Sequence, residues 1–460
     1  MIERGRLDKG TLETLIDDGE VDTILVVFPD LQGRLMGKRV TGDFWLHDVV
    51  TPGGSIEACN YLLAVDTEME PLPGYRYANW DKGYGDFKLV PDLATLRRVP
   101  WLEKTALVLC DLHDEETGEP VEVSPRQILR RQIERAAEMG LAVKCGSELE
   151  FFLFKDSYDE AAAKGYRDLV PHGAYNEDYH ILQTTKDEYL IRAIRNAMDD
   201  AGVPVEFSKG EASAGQHEIN LRYADALEMA DRHVVYKNGA KEIAALNDRA
   251  ITFMAKWSMD DCGSSCHVHS SLWDTDGKTP LDWDADAPEH MSEPFRHYLG
   301  GLLAASRELA WMSAPYVNSY KRYQPDSWAP TAIVWGHDNR TCGLRLVGHG
   351  PSFRVESRIP GADCNPYLAF AATIAAGLYG IEHRIEPGPE FHGNAYEAAG
   401  VARVPWNLVD AIDEFERSEL AAKAFGDDVH SHLLNTARQE WVRFNQVVTD
   451  WERRRNFELI

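Results

Sequence analysis

Three short segments set metal-binding side-chain types two residues apart. They are Glu148 and Glu150 in Gly146-Ser-Glu-Leu-Glu-Phe-Phe, His267 and His269 in Cys266-His-Val-His-Ser, and Arg354, Glu356 and Arg358 in Arg354-Val-Glu-Ser-Arg. Side chains alternate along an extended chain, so residues i and i+2 share a face. Strands presenting these groups on one side build a polar wall, on which facing carboxylates repel unless cations lie between them. Oxygen-rich ligands with an occasional imidazole suit magnesium or manganese, and a phosphate-bearing substrate can complete the coordination shell. Singly, each pattern has a plainer reading: a solvated strand face, a surface histidine pair, an ion-pair ladder. Together, with Glu211 and Glu218 flanking Ala-Gly-Gln, they point to a metal-and-phosphate site.

The elements that must hold these groups follow from periodicity and punctuation. Val21 to Phe28 is apolar and β-branched, closed by Pro29-Asp30 and Gly33. Loop-rich stretches around Gly83 and Pro91-Asp92 follow, so residues 1–113 read as a small, helix-poor domain. Ser124-Pro125 then opens a helix to about Gly140. Strands are expected over Ala142–Phe154, His217–Tyr223, Ala250–Phe253, His267–Leu272 and Gly343–Val347. Helices are expected over Leu182–Ala201, Ala224–Asn247 and Pro294–Ser313, with a charged helical tail from Pro405. Residues 114–460 thus form a larger α+β domain with a mostly antiparallel sheet.

Composition bounds the function. The 460 residues are 44% hydrophobic, enough for a sizeable core, and carry 75 acidic against 48 basic residues for a net charge of −27. That balance repels nucleic acid and anionic membrane and suits metal ions or amines. The start, Met1-Ile-Glu-Arg-Gly, lacks the apolar core of a signal peptide. Tyr367 to Ile381 is apolar but, at about 15 residues, too short to span a bilayer. Seven cysteines without zinc-like pairing fit a reduced, cytoplasmic protein.

The succession of motifs resembles the glutamine synthetase family over nearly the whole chain. Besides those above, the matching segments are Glu211-Ala-Ser-Ala-Gly-Gln-His-Glu-Ile-Asn, Gly263-Ser-Ser-Cys-His-Val-His, Asn318-Ser-Tyr-Lys-Arg, Asn339-Arg-Thr and Arg354 through Leu368. The resemblance implies a β-grasp-like N-terminal domain, a catalytic domain, and rings of subunits, usually two stacked hexamers sharing active sites between neighbours. It implies that Glu150, Glu211 and Glu218 hold the metal nearer glutamate, and that Glu148, His267 and Glu356 hold the metal bridging the ATP phosphates. His269, Arg340, Arg345 and Arg354 match residues that neutralise phosphate, the three arginines acting in catalysis. Arg322 and Arg358 match the arginines on the glutamate carboxylates, with Gly263 beside them, and Tyr223 matches an aromatic residue flanking the nucleotide. Two to three magnesium or manganese ions per site and ATP as co-substrate follow from the same resemblance.

The ammonium pocket departs from the family pattern. Glutamine-forming members carry a glutamate six residues beyond the matched arginine, just before Ala-Pro; here that position is Trp328. Where they lend an aspartate from the N-terminal domain, Thr51-Pro-Gly-Gly-Ser-Ile has Pro52, and Cys262 replaces an asparagine. Lost acids beside intact phosphate-handling residues indicate a changed nucleophile: a γ-glutamyl-amide synthetase taking ethanolamine or another short alkylamine, with a polyamine as the other candidate. The competing readings are a glutamine synthetase in which Asp326 replaces the missing acid, and a catalytically silent relative. The last predicts broken metal ligands, yet all six matched positions hold acids or histidine. Tyr396 lacks the sequence context of an adenylylation site and reads as a loop tyrosine.

Overall fold

In the computed structural model, which describes residues 4–324 and 327–460, the apolar run at Val21 becomes strand β1 (Thr23–Pro29). It joins β2 (Leu35–Thr41), β3 (Glu57–Cys59), β4 (Asp86–Pro91), β5 (Arg97–Arg98) and β6 (Thr105–Asp114) in a six-stranded sheet ordered β2-β1-β6-β4-β3, with β5 on β6. β1 is antiparallel to β2 and parallel to β6, the one parallel pair in this sheet among the described residues. Ile24, Val26 and Phe28 are fully buried, and Phe28 meets Phe87 edge to face at 5.2 Å. One substantial helix, Lys9–Asp17, precedes these strands, started by the Asp8 carboxylate accepting from Thr11 N–H. Asp326 lies outside the described residues.

The second sheet carries the polar wall. It comprises β7 (Leu141–Phe154), β8 (Val205–Gly210), β9 (Gln216–Leu221), β10 (Ala224–Asp225), β11 (Ala250–Thr252), β12 (Cys266–Asp274), β13 (Trp335–His337), β14 (Leu344–Val347) and β15 (Arg354–Ser357). Its nine strands run β13-β14-β15-β12-β7-β9-β8, with β10 and β11 also on β7. All pairs except β13–β14 are antiparallel. Leu149, Phe151 and Leu153 of β7 are fully buried, which commits Glu148 and Glu150 to the other face.

Helices Pro125–Glu138, Ala226–Leu246, Glu293–Ala305 and Pro366–His383 supply the remaining core. The apolar segment around Tyr367–Ile381 is, as expected, a buried helix; among the described residues no helix is long and apolar enough to cross a membrane. It packs against Glu293–Ala305 through glycines. A Cβ on Gly301 would lie 2.7 Å from Gly380 Cα and closer still to the Ala376 carbonyl oxygen. Both obstacles are backbone, so Gly301→Ala is expected to lower stability by about 1–3 kcal/mol through overpacking. A drop in unfolding temperature of several degrees by calorimetry is the expected result.

Two expected helices are shorter. Leu182–Ala201 divides into Ile181–Thr185 and Glu188–Asp200, because the chain turns at Asp187 to bury its carboxylate beside His217. Pro294–Ser313 ends at Ala305 and continues as a single turn over Ala310–Met312. Strand β8 was not anticipated: its alternating polar residues resemble a surface loop until they pair with β9.

Candidate active site

Strand register brings the separated motifs into rows. Glu148 of β7 stands opposite His267 of β12, and His269 stands opposite Glu356 of β15, which in turn faces Arg345 of β14. On the other side of β7, Glu150 is opposite Glu218 of β9, and Glu218 is opposite Lys209 of β8. Glutamates two residues apart on the central strand therefore serve two neighbouring clusters.

Glu150, Glu211 and Glu218 converge with their ligand oxygens within 4.8 Å of one another. The second cluster is arranged around Glu148. Its carboxylate lies 3.1 Å from His267 Nδ1 and 2.9 Å from His269 Nε2, while His267 Nδ1 is 3.5 Å from Glu356. Glu356 has no exposed surface and also accepts from Arg345 at 2.9 Å and Arg358 at 2.5 Å. Arg354 Nε donates to His269 Nδ1 at 3.0 Å, so His269 presents its other nitrogen to Glu148.

The electrostatics of these groups fit bound divalent cations. Burial, reinforced by the Glu211 charge, pushes the Glu150 carboxyl up to about 8. Burial also lifts Glu218 well above the usual carboxylate range, helped by Glu148 and Glu211. Burial opposes ionisation of Glu356 too, but His267 and Arg358 outweigh it and bring that carboxyl to about 2. Burial and the Arg358 charge lower His267 to about 4, leaving a neutral imidazole suited to coordination, and its Nε2 is buried without a hydrogen-bond partner. Three clustered carboxylates, two of them holding protons unless a cation compensates them, and a neutral buried imidazole form a donor set matched to such ions.

A pH dependence follows. In ion-free protein, Glu150 and Glu218 bind protons more tightly folded than unfolded. Their stabilising contribution is complete below the unfolded carboxylate value and is lost as pH rises, for Glu150 through about 8. The loss per group is at most about 1.4 kcal/mol per pH unit. Thermal unfolding in chelator should shift down across that window, and excess Mg²⁺ should flatten the slope by replacing the protons. Equal slopes with and without Mg²⁺ would contradict the assignment.

Two cavities open on the wall. The larger, about 730 Å³, contains Glu148, Glu150, Glu211, Glu218, His267, Gly263, Arg322, Arg340, Arg345, Arg358 and Trp328. The smaller, about 470 Å³, contains Tyr223, His269 and Arg354, and shares Glu148 and Phe207 with the first. Its aromatic wall is Tyr223 stacked on Trp273, ring centres 6.3 Å apart, with Lys144 Nζ 4.1 Å over the indole. Glu148 thus lies where an aromatic slot meets a charged cleft. Asp178, Tyr179, Ile181, Phe207 and Trp328 also line the larger cavity. Trp328 is 59% exposed and sits at φ +60, a conformation unfavourable for a bulky side chain.

Every expected metal, phosphate and substrate residue lines one of the two cavities, except Glu356, which is buried beside His267; Arg322 is engaged differently from the others. It is buried, donating to the carbonyls of Ile359 and Arg358 and to Ser265 Oγ, and so braces the floor of the cleft. Gly263 is close-packed there: a Cβ would meet Ala255 O at 2.7 Å. Sequence reasoning missed Gln216, Asn220, Lys209, Tyr179 and Trp273. Gln216 Nε2 donates to Glu150 at 3.2 Å and Asn220 Nδ2 to Glu218 at 2.7 Å. Both flank Glu218 at two-residue spacing, so strand alternation carried the signal. Lys209 Nζ, 2.5 Å from Glu211, depends on the unanticipated β8 and had no local signature.

The model of the glutamine synthetase catalytic domain family matches residues 122–456. A γ-glutamylethanolamide synthetase from Streptomyces coelicolor is 52% identical over 447 residues, covering 97% of this chain and 95% of that protein. A glutamate–isopropylamine ligase from a Pseudomonas species is 38% identical, covering 97% of each. Among solved structures, a GmaS/ADP complex superposes with a TM-score of 0.83 at 29% identity, covering 97% of this chain and 99% of that one.

Proposed function

We propose that this chain, which belongs to the glutamine synthetase family, is an ATP-dependent ligase joining the γ-carboxylate of glutamate to a short alkylamine such as ethanolamine. The observation that carries the reading is a set of acid, imidazole and arginine groups in a cleft that Trp328 also lines. Two relatives named for γ-glutamylethanolamide synthesis and glutamate–isopropylamine ligation support it.

A carboxylate is a poor electrophile. The γ-carboxylate oxygen therefore attacks the γ-phosphorus of ATP, ADP departs, and the acyl phosphate formed carries a good leaving group. Magnesium or manganese, in two or three sites, would neutralise the phosphate oxygens when bound. We assign Glu150, Glu211 and Glu218 to one ion and Glu148, His267 and Glu356 to its neighbour. Arg340, Arg345 and Arg354 with His269 carry positive charge and hydrogen bonds to the transferring phosphoryl group. Arg358 reaches the glutamate carboxylates, while Arg322 and Gly263 fix the floor beneath them. Tyr223, backed by Trp273, flanks the adenine. An uncharged amine then attacks the acyl carbon, the acyl C–O bond to phosphate breaks, and the nitrogen gives up one proton as inorganic phosphate leaves.

The amine end favours a short apolar tail. Tyr179, Ile181, Phe207 and Trp328 offer apolar surface, and the carboxylate among these wall groups, Asp178, is paired with Lys209 at 3.4 Å. A polyamine would call for several free acids. We further propose that residues 1–113 and 114–460 are separate domains of a cytoplasmic dodecamer built from two stacked hexamers. The seven cysteines, all unpaired, fit a reducing compartment.

The test is phosphate release from ATP with glutamate and Mg²⁺, offering ammonium, methylamine, ethanolamine, putrescine and spermidine in turn. High activity with one short monoamine and little with ammonium is expected. Preferential use of ammonium would make the protein a glutamine synthetase instead.

A further inference from the structure

On the face of β9 opposite Glu218 lies a second group of ligand-type side chains that the amide-forming reaction does not use. His217 Nε2 is 2.9 Å from Asp187 Oδ2 and 3.5 Å from Glu177 Oε2, and His172 Nδ1 touches Asp187 Oδ1. The side chains of Glu177, Asp187 and His217 are at most 1% exposed. Glu177 Oε1 accepts from Gly215 N–H at 2.8 Å, but Glu177 Oε2 is buried with no hydrogen bond. Among the described residues, the ion-pair partners of these carboxylates are the two imidazoles. Ligand atoms of Glu177, Asp187 and His217 thus converge to within 4.8 Å of one another in a buried site, where two carboxylates side by side are costly unless a cation joins them.

The spacing suits a particular kind of ion. Donors bound to tetrahedral zinc at about 2.0–2.1 Å stand roughly 3.3 Å from one another. The 2.9 and 3.5 Å separations bracket that value. Mixed imidazole and carboxylate ligands favour zinc over magnesium, which prefers an all-oxygen octahedron with several waters. We propose that Glu177, Asp187, His217 and His172 form a structural site for one zinc-class ion, distinct from the cleft clusters.

Such an ion would pin residues 172–187 onto β9. That segment carries Asp178 and Tyr179 to the lining of the larger cavity, so, on the function proposed above, the ion would act on amine selectivity from behind. It also accounts for the break between the helices Ile181–Thr185 and Glu188–Asp200, which frees Asp187 to turn inward.

The test is metal analysis of the full-length protein after dialysis against excess Mg²⁺, which occupies the cleft. One equivalent of zinc per chain is expected in the parent and in Glu150→Gln, with none in His172→Ala or Asp187→Asn. The two depleted variants should show a several-fold higher KM for the amine and a smaller change in kcat. Should they fail to fold, cobalt loading of the parent under the same Mg²⁺ excess decides, because a His-and-carboxylate tetrahedral site gives strong visible absorption. A parent without retained zinc or tetrahedral cobalt, or cluster variants that keep their zinc, would show a purely hydrogen-bonded cluster and overturn the proposal.

Discussion

Glu356→Gln is expected to reduce amide synthesis by about 10³-fold or more while the protein still folds, an effect of the size seen when charge stabilisation is removed from phosphoryl transfer. The substitution is nearly isosteric, so packing around this fully buried side chain is preserved. What changes is charge. Glu356 is the shared acceptor for Arg345, at 2.9 Å, and Arg358, at 2.5 Å, and lies 3.5 Å from His267. A glutamine there removes one ion ligand and turns an amide N–H₂ toward guanidinium donors or the imidazole. Both arginines lose their anchor, so phosphate and glutamate contacts should fail together. Phosphate release with glutamate, ATP and the preferred amine measures the first effect, and Mn²⁺ titration measures the lost ion affinity. Activity within about tenfold of the parent would remove Glu356 from the ion-binding set.

The groups that proved legible in sequence are those governed by local periodicity. Glu148 and Glu150 could be placed on one face because Leu149, Phe151 and Leu153 must be buried on the other. The same two-residue alternation orders His267 with His269 and Glu356 with its flanking arginines. Family resemblance then joined these segments before any strand pairing was known. What local pattern could not supply was depth and partnership. Arg322, expected on substrate, lines the larger cavity and also donates to backbone carbonyls and Ser265, contacts decided by where Ile359 and Arg358 pass in space. Lys209 and Tyr179 were hidden because β8 and the 172–187 segment look like polar loops until β9 is beside them. The helix expected through Leu182–Ala201 ignored Asp187, whose buried contact with His217 outweighs the local preference for unbroken helix.

Trp328→Glu is expected to shift the ratio of kcat/KM for ammonium over ethanolamine by about 10- to 100-fold toward ammonium, the range over which a pocket discriminates through one apolar group or one charge. Trp328 lines the larger cavity together with Glu150, Glu218, Arg358, Tyr179 and Phe207. An indole covers the methylene carbons of an alkylamine and can face an ammonium through its ring, but it cannot take up a proton. A carboxylate at the same backbone position would bind ammonium as an ion, accept its proton, and leave the alkyl chain without a wall. Trp328→Ala separates these contributions: loss of ethanolamine turnover without gain on ammonium assigns the apolar contact to the indole and the ammonium preference to the added charge. Asp326→Asn examines the alternative in which that acid already serves the amine. If it abolishes turnover of every amine and Trp328→Glu changes no preference, the nucleophile is selected by Asp326 and not by the tryptophan. If Asp326→Asn is nearly silent and Trp328→Glu moves the ratio, one position at the mouth of an otherwise conventional cleft determines which amine is joined to glutamate.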